Sequence, residues 1–271
     1  MDRIEAENLE VSRVSETTVF SVAGSLCALL VLALTILPAE AGPPYLTDDP
    51  EPVDYQHFEL ISYTIGTHVK GDTSGMAPGF DFNYGLIPNG QLHLGAWLSF
   101  DRPGAMAPQF GYGDSEIGFK YRFIQEDEQG WRPQVALYPI MDFPTGDQSR
   151  GLGAGHTRTL LPIWVQKSFG DWTIDSGGGY WINNGGGTLD KDYWFSGLLV
   201  QRKVAPDLTL GGELFHQTAT VIGGNDSTGF NLGAVYDFDE HNHLMLSAGR
   251  GLQNSVASNE FSWFLGLQIV Y

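Results

Sequence analysis

Apolar and polar side chains alternate along most of this chain, most regularly over residues 261–271. Successive side chains of a β-strand point to opposite faces. One face here carries Phe261, Trp263, Leu265, Leu267, Ile269 and Tyr271, whereas the other carries Ser262, Phe264, Gly266, Gln268 and Val270. An apolar face that ends in an aromatic residue is typical of the last strand of an outer-membrane β-barrel. The last strand of a soluble β-sandwich alternates in the same way, so this segment alone leaves both folds open.

The same alternation predicts about twelve strands, separated by turn residues, from residue 55 onwards. We place them at 55–66, 75–84, 90–101, 113–125, 131–142, 158–168, 171–182, 192–203, 207–217, 228–238, 243–251 and 260–271. No helical period interrupts them. We therefore expect one all-β domain with antiparallel neighbours.

The breaks between these strands favour a transmembrane barrel over a sandwich. Short breaks lie at 87–89, 126–130, 169–170, 205–206 and 239–242. Long breaks alternate with them at 67–74, 102–112, 143–157, 183–191, 218–227 and 252–259. Outer-membrane barrels have short turns at one end and longer loops at the other. The sequence thus predicts a transmembrane antiparallel up-and-down β-barrel over residues 55–271.

Charged residues in the predicted strands must face the lumen of such a barrel, because a charge that faces lipid costs about 2–4 kcal/mol. Our candidates for contact with a solute in the lumen are His93, Trp97, Asp101, Glu116, Lys120, Arg122, Trp164, Glu213 and Asp237. Lys120 and Arg122 are the strongest of these, and Trp194 and Phe215 are further aromatic candidates. Ionisable groups inside a membrane protein often mark a solute pathway. The alternative is a network of opposite charges that only joins strands.

The amino-terminal residues predict a secretion signal. An apolar run at 19–37 precedes Ala39-Glu40-Ala41, a small-x-small pattern that places cleavage before Gly42. The residues before the run are mostly acidic, whereas a signal peptide is normally basic there. A start downstream of Met1 and an uncleaved anchor helix are therefore alternatives. We expect a signal helix at 1–41, a periplasmic segment at 42–54 and the barrel at 55–271.

Composition narrows the classes of protein further. Charged residues make up 17% of the chain, against about a quarter in a soluble domain. Beyond the leader, no apolar run reaches the roughly 20 residues of a spanning helix, so a membrane-spanning chain of this kind must close into a barrel. The net charge of −18 argues against a nucleic-acid partner, which requires a basic surface. Cys27, the only cysteine, lies in the leader.

No residue pattern points to a cofactor, a metal or a catalytic centre. Serine hydrolases with a nucleophile elbow carry Gly-x-Ser-x-Gly, which this chain lacks. A Ser/His site built on barrel strands leaves a weaker trace, with His156 or His216 as the histidine. We do not expect an enzyme, but an outer-membrane lipid hydrolase remains an alternative.

Several segments together resemble one bacterial family. They are residues 42–53 (GPPYLTDDPEPV), 139–147 (PIMDFPTGD), 151–153 (GLG), 162–167 (PIWVQK) and 178–181 (GGYW). This combination is similar to the outer-membrane barrels grouped as the MetA-pathway of phenol degradation family. The resemblance implies an outer-membrane barrel associated with the uptake of aromatic or other hydrophobic compounds, and it supplies no site residues. Tyr271 stands where phenylalanine is more usual in such barrels.

We therefore expect an outer-membrane channel or transporter that passes small hydrophobic or aromatic solutes by passive diffusion. Its expected partners are outer-membrane lipid, the solute and, through residues 261–271, the barrel-assembly machinery. Besides the hydrolase, a plugged barrel with a structural or surface-interaction role remains an alternative.

Overall fold

The computed structural model of this protein describes residues 43–104, 107–127 and 129–271. The predicted signal helix at 1–41 lies outside these residues. Within them, no helix is long and apolar enough to cross a membrane. The helices in these ranges are a 3-10 helix, Gln148–Arg150, and one α-helical turn, Ser255–Ser258.

The strands of the described residues form one antiparallel sheet. They are β1 (Phe58–Val69), β2 (Asp72–Ile87), β3 (Gly90–Pro103), β4 (Gln109–Ile124), β5 (Gln134–Leu137), β6 (Ile140–Phe143), β7 (Thr157–Phe169), β8 (Trp172–Asn184), β9 (Tyr193–Ala205), β10 (Leu208–Gln217), β11 (Ser227–Asp237), β12 (Asn242–Gln253) and β13 (Phe261–Val270). Strands β5 and β6 share one position between β4 and β7, and β13 pairs with β1. The sheet is a closed barrel of 12 strand positions, which confirms the predicted fold class.

Tyr138 and Pro139 separate β5 from β6. Proline has no N–H for the ladder and is therefore found at irregularities of sheets. The Pro139 carbonyl still accepts from the Phe119 N–H at 3.0 Å, and the Tyr138 N–H donates to the Pro162 carbonyl at 3.4 Å. These hydrogen bonds keep the wall continuous across the break. The Tyr138 ring is buried in the interior of the barrel, where it contacts the His93 ring.

The connections between strands define two ends of the barrel. The turn end holds the start of β1, the end of β13 and the connections 88–89, 125–133, 170–171, 206–207 and 238–241. The loop end holds the connections 70–71, 104–108, 144–156, 185–192, 218–226 and 254–260. Two lengths differ from the prediction. The loop expected at 67–74 is a tight turn because β1 and β2 stay paired up to Val69 opposite Asp72, and the turn expected at 126–130 belongs to a longer connection.

The outer surface of the barrel is apolar. Leu232 is 62% exposed, whereas its neighbour Asn231 is 6% exposed on the inner face. Aromatic residues mark the outside at the turn end (Phe58, Phe169, Trp172, Phe238 and Tyr271) and at the loop end (Phe110, Tyr112, Phe143, Trp194 and Phe261). Such girdles lie at the two membrane interfaces. The expectation that Trp194 faces the lumen is wrong: it is 60% exposed on the outside, because Tyr193 takes the inward position.

One glycine lets an aromatic ring cover the outer wall near the loop end. Gly66 lies opposite Trp263 on one side and Gly75 on the other. A Cβ atom on Gly66 would lie 2.3 Å from Cζ2 of Trp263. The Trp263 ring, which stacks on Phe100 with centroids 6.4 Å apart, therefore lies over a position that has room only for glycine.

Candidate functional site in the barrel lumen

The lumen contains most of the buried polar residues of the described chain. Five of the predicted site residues are buried there: His93, Trp97, Lys120, Trp164 and Glu213. Glu116 and Arg122 share the inward face of β4 with Lys120 and are partly buried. The sequence analysis missed Asp142 and Asp175, which are also buried inside the barrel. Their positions in predicted strands, on the face opposite Met141 and Ile174, were the signal that could have found them.

Residues 43–54, which we call the lumenal segment, lie inside the barrel. Thr47 and Asp49 are buried. The Ser247 hydroxyl on β12 donates to the Pro44 carbonyl at 2.6 Å, and the Val53 N–H donates to the Gln91 side chain on β3 at 2.8 Å. The sequence analysis expected a periplasmic segment here. The residues enter the lumen from the turn end, where they join β1, and reach its middle.

Glu213 on β10 binds the middle of the lumenal segment. Its carboxylate accepts hydrogen bonds from the Leu46 N–H at 3.2 Å, from the Thr47 N–H and from the Thr47 hydroxyl at 2.7 Å. It also accepts from Nδ2 of Asn231 at 2.7 Å. The adjacent strand β9 has room for the segment at Gly197, where a Cβ would lie 2.0 Å from Oγ1 of Thr47. Glu213 therefore fixes the segment rather than facing open space.

The two strongest candidates for solute contact also hold the lumenal segment. Nζ of Lys120 lies 3.0 Å from Oδ1 of Asp48 and 3.2 Å from Oδ1 of Asp49. Nη1 of Arg122 lies 3.3 Å from Oε1 of Glu51. Hydrogen bonds between ionised groups are roughly twice as strong as neutral ones. In this structure, both cations are therefore occupied by carboxylates of the chain itself.

Burial changes the pKa values of two groups in the lumenal segment. Burial raises the pKa of the Asp49 carboxyl well above its usual value, although the nearby Lys120 ammonium opposes the change. Burial, and then the charge of Glu213, raise the pKa of the Tyr45 phenol. Tyr45 thus stays neutral and packs with Leu199 in the lumen.

A second polar network runs along the inner wall across the neighbouring strands β1 to β4. His93 contacts Oδ1 of Asn83 with Nδ1 and Oε1 of Glu116 with Nε2, both at 2.7 Å. Nδ2 of Asn83 donates to Glu59 at 2.6 Å. Because each group has a partner within the network, the geometry fits the interpretation of charges that join strands.

The remaining predicted residues lie apart from these two networks. Asp237 contacts Nδ1 of His243 at 2.8 Å near the turn end. Asp101 lies near the loop end, where a Cβ on Gly151 would meet its Oδ2 at 2.8 Å. The Trp164 ring meets Phe195 edge-on with centroids 6.4 Å apart. The barrel therefore does not bring all nine predicted residues into one site.

A partly enclosed cavity of about 190 Å³ lies near the loop end, beside strands β1 and β10 to β13. Its apolar lining includes Leu46, Ile65, Phe215 and Phe264. Its polar residues are all uncharged: Thr67, Gln217, Ser227, Thr228, Asn231, Ser247, Ser258, Asn259 and Ser262. Phe215 was an aromatic candidate of the sequence analysis, whereas Asn259 lies in a predicted loop and was missed. Among the described residues, no cluster of side chains could hold a metal ion.

The closed sheet, the apolar outer surface with its two aromatic girdles and the polar interior define an outer-membrane β-barrel. A family model described as "Putative MetA-pathway of phenol degradation" matches residues 51–264. The chain therefore belongs to this family, which confirms the resemblance seen in the sequence.

Solved structures show the same fold. The chain is similar to an outer membrane channel from Pseudomonas putida F1, with a TM-score of 0.67 and 18% identity over 86% of this chain and 100% of that chain. It is also similar to the NanC porin, with a TM-score of 0.52 and 9% identity over 78% of this chain and 98% of that chain. For the KdgM porin the TM-score is 0.51, with 9% identity over 78% of this chain and 98% of that chain. No curated protein matches the chain.

Proposed function

We propose that this protein is an outer-membrane channel that passes small hydrophobic or aromatic solutes by passive diffusion. The observation that carries the proposal is the cavity of about 190 Å³ on the inner side of the wall, with Phe215, Phe264 and Ile65 in its lining. An apolar cavity of about 150 Å³ holds one benzene molecule. This cavity therefore has room for one ring with a small substituent.

The lumenal segment narrows the path beyond the cavity. Pro44 and Leu46 line the cavity, so a solute that leaves it towards the turn end meets the segment. The segment is held mainly by hydrogen bonds and ion pairs to Glu213, Lys120 and Arg122. We propose that these contacts open to let the solute pass.

A barrel closed by this segment, with a structural or surface-interaction role, is the second candidate function. The position of the segment in the lumen favours it. The two candidates differ in solute flux, since a closed barrel supports none.

The lipid hydrolase has less support. His156 contacts Asn183 and Asp190, and His216 contacts Thr228. Among the described residues, neither histidine has a hydrogen bond to a serine. We further propose that β13 contacts the barrel-assembly machinery.

Uptake by intact cells tests the channel. A Gram-negative host that lacks its general porins should take up radiolabelled toluene faster at limiting concentration when it produces this protein than with an empty vector. The rate should stay linear in concentration, as for diffusion. An equal rate in the two strains, with the barrel present in the outer membrane, would refute the channel and favour the closed barrel.

A further inference from the structure

One arginine of the barrel wall faces the membrane instead of the lumen. Arg202 on β9 is exposed, and it lies on the same face of the strand as Leu198, which is 44% exposed to the outside. Its neighbour Gln201 is 1% exposed and faces the lumen. A charge on the outer wall is costly at the middle of a bilayer and much less costly near its interfaces. The position of Arg202 along the barrel axis therefore decides whether the membrane tolerates it.

The strand register places Arg202 in the aromatic girdle at the turn end. Arg202 pairs with Trp172 on β8, and its guanidinium carbon Cζ lies 5.0 Å from the centre of the Trp172 ring. Phe169 pairs with Trp172 on the other side, and the centroids of the Phe169 and Trp131 rings are 5.9 Å apart. All of these rings are exposed. The outer wall thus presents a row of aromatic rings with a cation at one end.

No carboxylate of the described chain neutralises the charge of Arg202. The lysine and arginine side chains that form ion pairs among the described residues are Lys120, Arg122, Arg158 and Lys167. Lys167 also faces outward near the turn end, but its Nζ lies 2.7 Å from Oε1 of Glu126. The Trp172 ring attracts a cation through its π face, and its indole has a donor and no acceptor. The N–H donors of Arg202 are therefore left for a ligand outside the barrel.

The chemistry of this surface fits the headgroup of a phospholipid. A guanidinium binds phosphate oxygens through paired N–H donors. Tryptophan rings lie at the level of the headgroups in membrane proteins, and the outward residues Val200 and Leu198 continue from Arg202 towards the middle of the membrane, where acyl chains lie. Short turns mark the periplasmic end of such barrels. The leaflet at that end of an outer membrane consists of phospholipid.

We propose that Arg202, with Trp172 and Phe169 beside it, is a binding site on the outside of the barrel for the phosphate of an anionic phospholipid. The headgroup of phosphatidylglycerol keeps its net negative charge for the arginine, whereas the choline of phosphatidylcholine neutralises its own phosphate. The site lies outside the lumen, so it is independent of the proposed passage of solutes.

Native mass spectrometry of the purified barrel in detergent measures the binding. Phosphatidylglycerol and phosphatidylcholine with the same acyl chains are the probes, because they differ only in the group beyond the phosphate. We expect the wild type to prefer phosphatidylglycerol. Arg202→Gln should weaken phosphatidylglycerol binding about fivefold, the equivalent of about 1 kcal/mol for one basic residue at a membrane surface, with little change for phosphatidylcholine. Arg202→Lys keeps the charge and should retain most of the preference.

Lys203→Gln is the matched control. Lys203 is the next residue of β9 and lies on its inner face, opposite Thr209. This variant therefore removes the same charge from the same strand without a change to the outer wall, and it should bind both lipids as the wild type does. Glycerol phosphate carries the phosphate without acyl chains and should not displace the lipid at equal concentration.

The outcomes decide between a lipid site and its alternatives. Equal binding of the two lipids by the wild type, or equal losses in Arg202→Gln and Lys203→Gln, would overturn the site. Displacement by glycerol phosphate would show a site for free phosphate instead of lipid. Heat-dependent migration in gel electrophoresis shows that each variant is folded. If Arg202→Gln does not fold, Trp172→Leu takes its place, because it removes the ring beside the guanidinium and should also reduce the preference for phosphatidylglycerol; an unchanged preference would overturn the site.

Discussion

Replacement of Lys120 by methionine is expected to release the lumenal segment. Nζ of Lys120 contacts Asp48 and Asp49 at 3.0 and 3.2 Å, and the side chains of Lys120 and Asp49 are 5% and 7% exposed. Removal of one partner from a buried ion pair costs up to about 3–5 kcal/mol when the other charge stays buried, and proton uptake by Asp49, whose pKa burial already raises, limits this cost. This cost destabilises only the docked state of the lumenal segment, since Asp49 is hydrated again in the undocked state. At about 1.4 kcal/mol per factor of ten, this upper limit corresponds to a rise of the undocked fraction of roughly a hundred- to several-thousand-fold.

Single-channel recording in planar bilayers measures this effect. We expect Lys120→Met to spend more time in a conducting state than the wild type, and to reach a larger conductance. Lys167→Met is the matched control, because Nζ of Lys167 contacts Oε1 of Glu126 at 2.7 Å. That pair joins β7 to the connection 125–133 and does not involve the lumenal segment. Lys167→Met should record as the wild type does.

A compensating variant tests the physical reason for the effect. Replacement of Asp48 and Asp49 by asparagine in the Lys120→Met protein removes the unpaired buried charge, so the segment should dock again and the conductance should fall. The reasoning is refuted if Lys120→Met and Lys167→Met give the same open fraction while circular dichroism shows both to be folded. It is also refuted if the triple variant stays as open as Lys120→Met.

Three further predictions concern the segment and the wall. The double variant Thr47→Cys, Gly197→Cys tests whether the lumenal segment closes the channel, since a Cβ at 197 would lie 3.1 Å from Cβ of Thr47, slightly below the roughly 3.5–4.5 Å of disulfides. Oxidation should close the channel and dithiothreitol should open it. A confirmed disulfide without effect on conductance would contradict this. Leu232→Lys places a charge in lipid and should lower the unfolding free energy in bilayers by about 2–4 kcal/mol, whereas Leu232→Val should cost less. Gly66→Val should lower the thermal unfolding temperature in detergent because it displaces the Trp263 ring, and added Trp263→Ala should restore it; no recovery would show that the ring is not the cause.

The alternation of residues, together with the spacing of the loops and the predicted secretion signal, was enough to predict the barrel wall. Glu116 and Lys120 face inward on β4, whereas Ile117 and Phe119, which lie between them in the chain, face outward. The cost of a charge in lipid requires this arrangement. Strand period, loop spacing and the terminal aromatic residue are local properties, so they could be read without the fold. The break at Pro139 was not predicted, because apolar residues on both sides continue the alternation through it.

The contents of the lumen depended on the tertiary structure. The lumenal segment has prolines and adjacent acidic residues and no alternation, so its sequence did not indicate what it packs against. Thr47 and its partner Glu213 are 166 residues apart in the chain, and only closure of the barrel brings them together. Neither the partners of Lys120 and Arg122 nor the position of Asn259 beside a cavity could be derived from the local sequence. Whether a side chain faces lipid or the lumen follows from the alternation within its own strand. Its partner across the lumen depends on the register of every strand between the two residues.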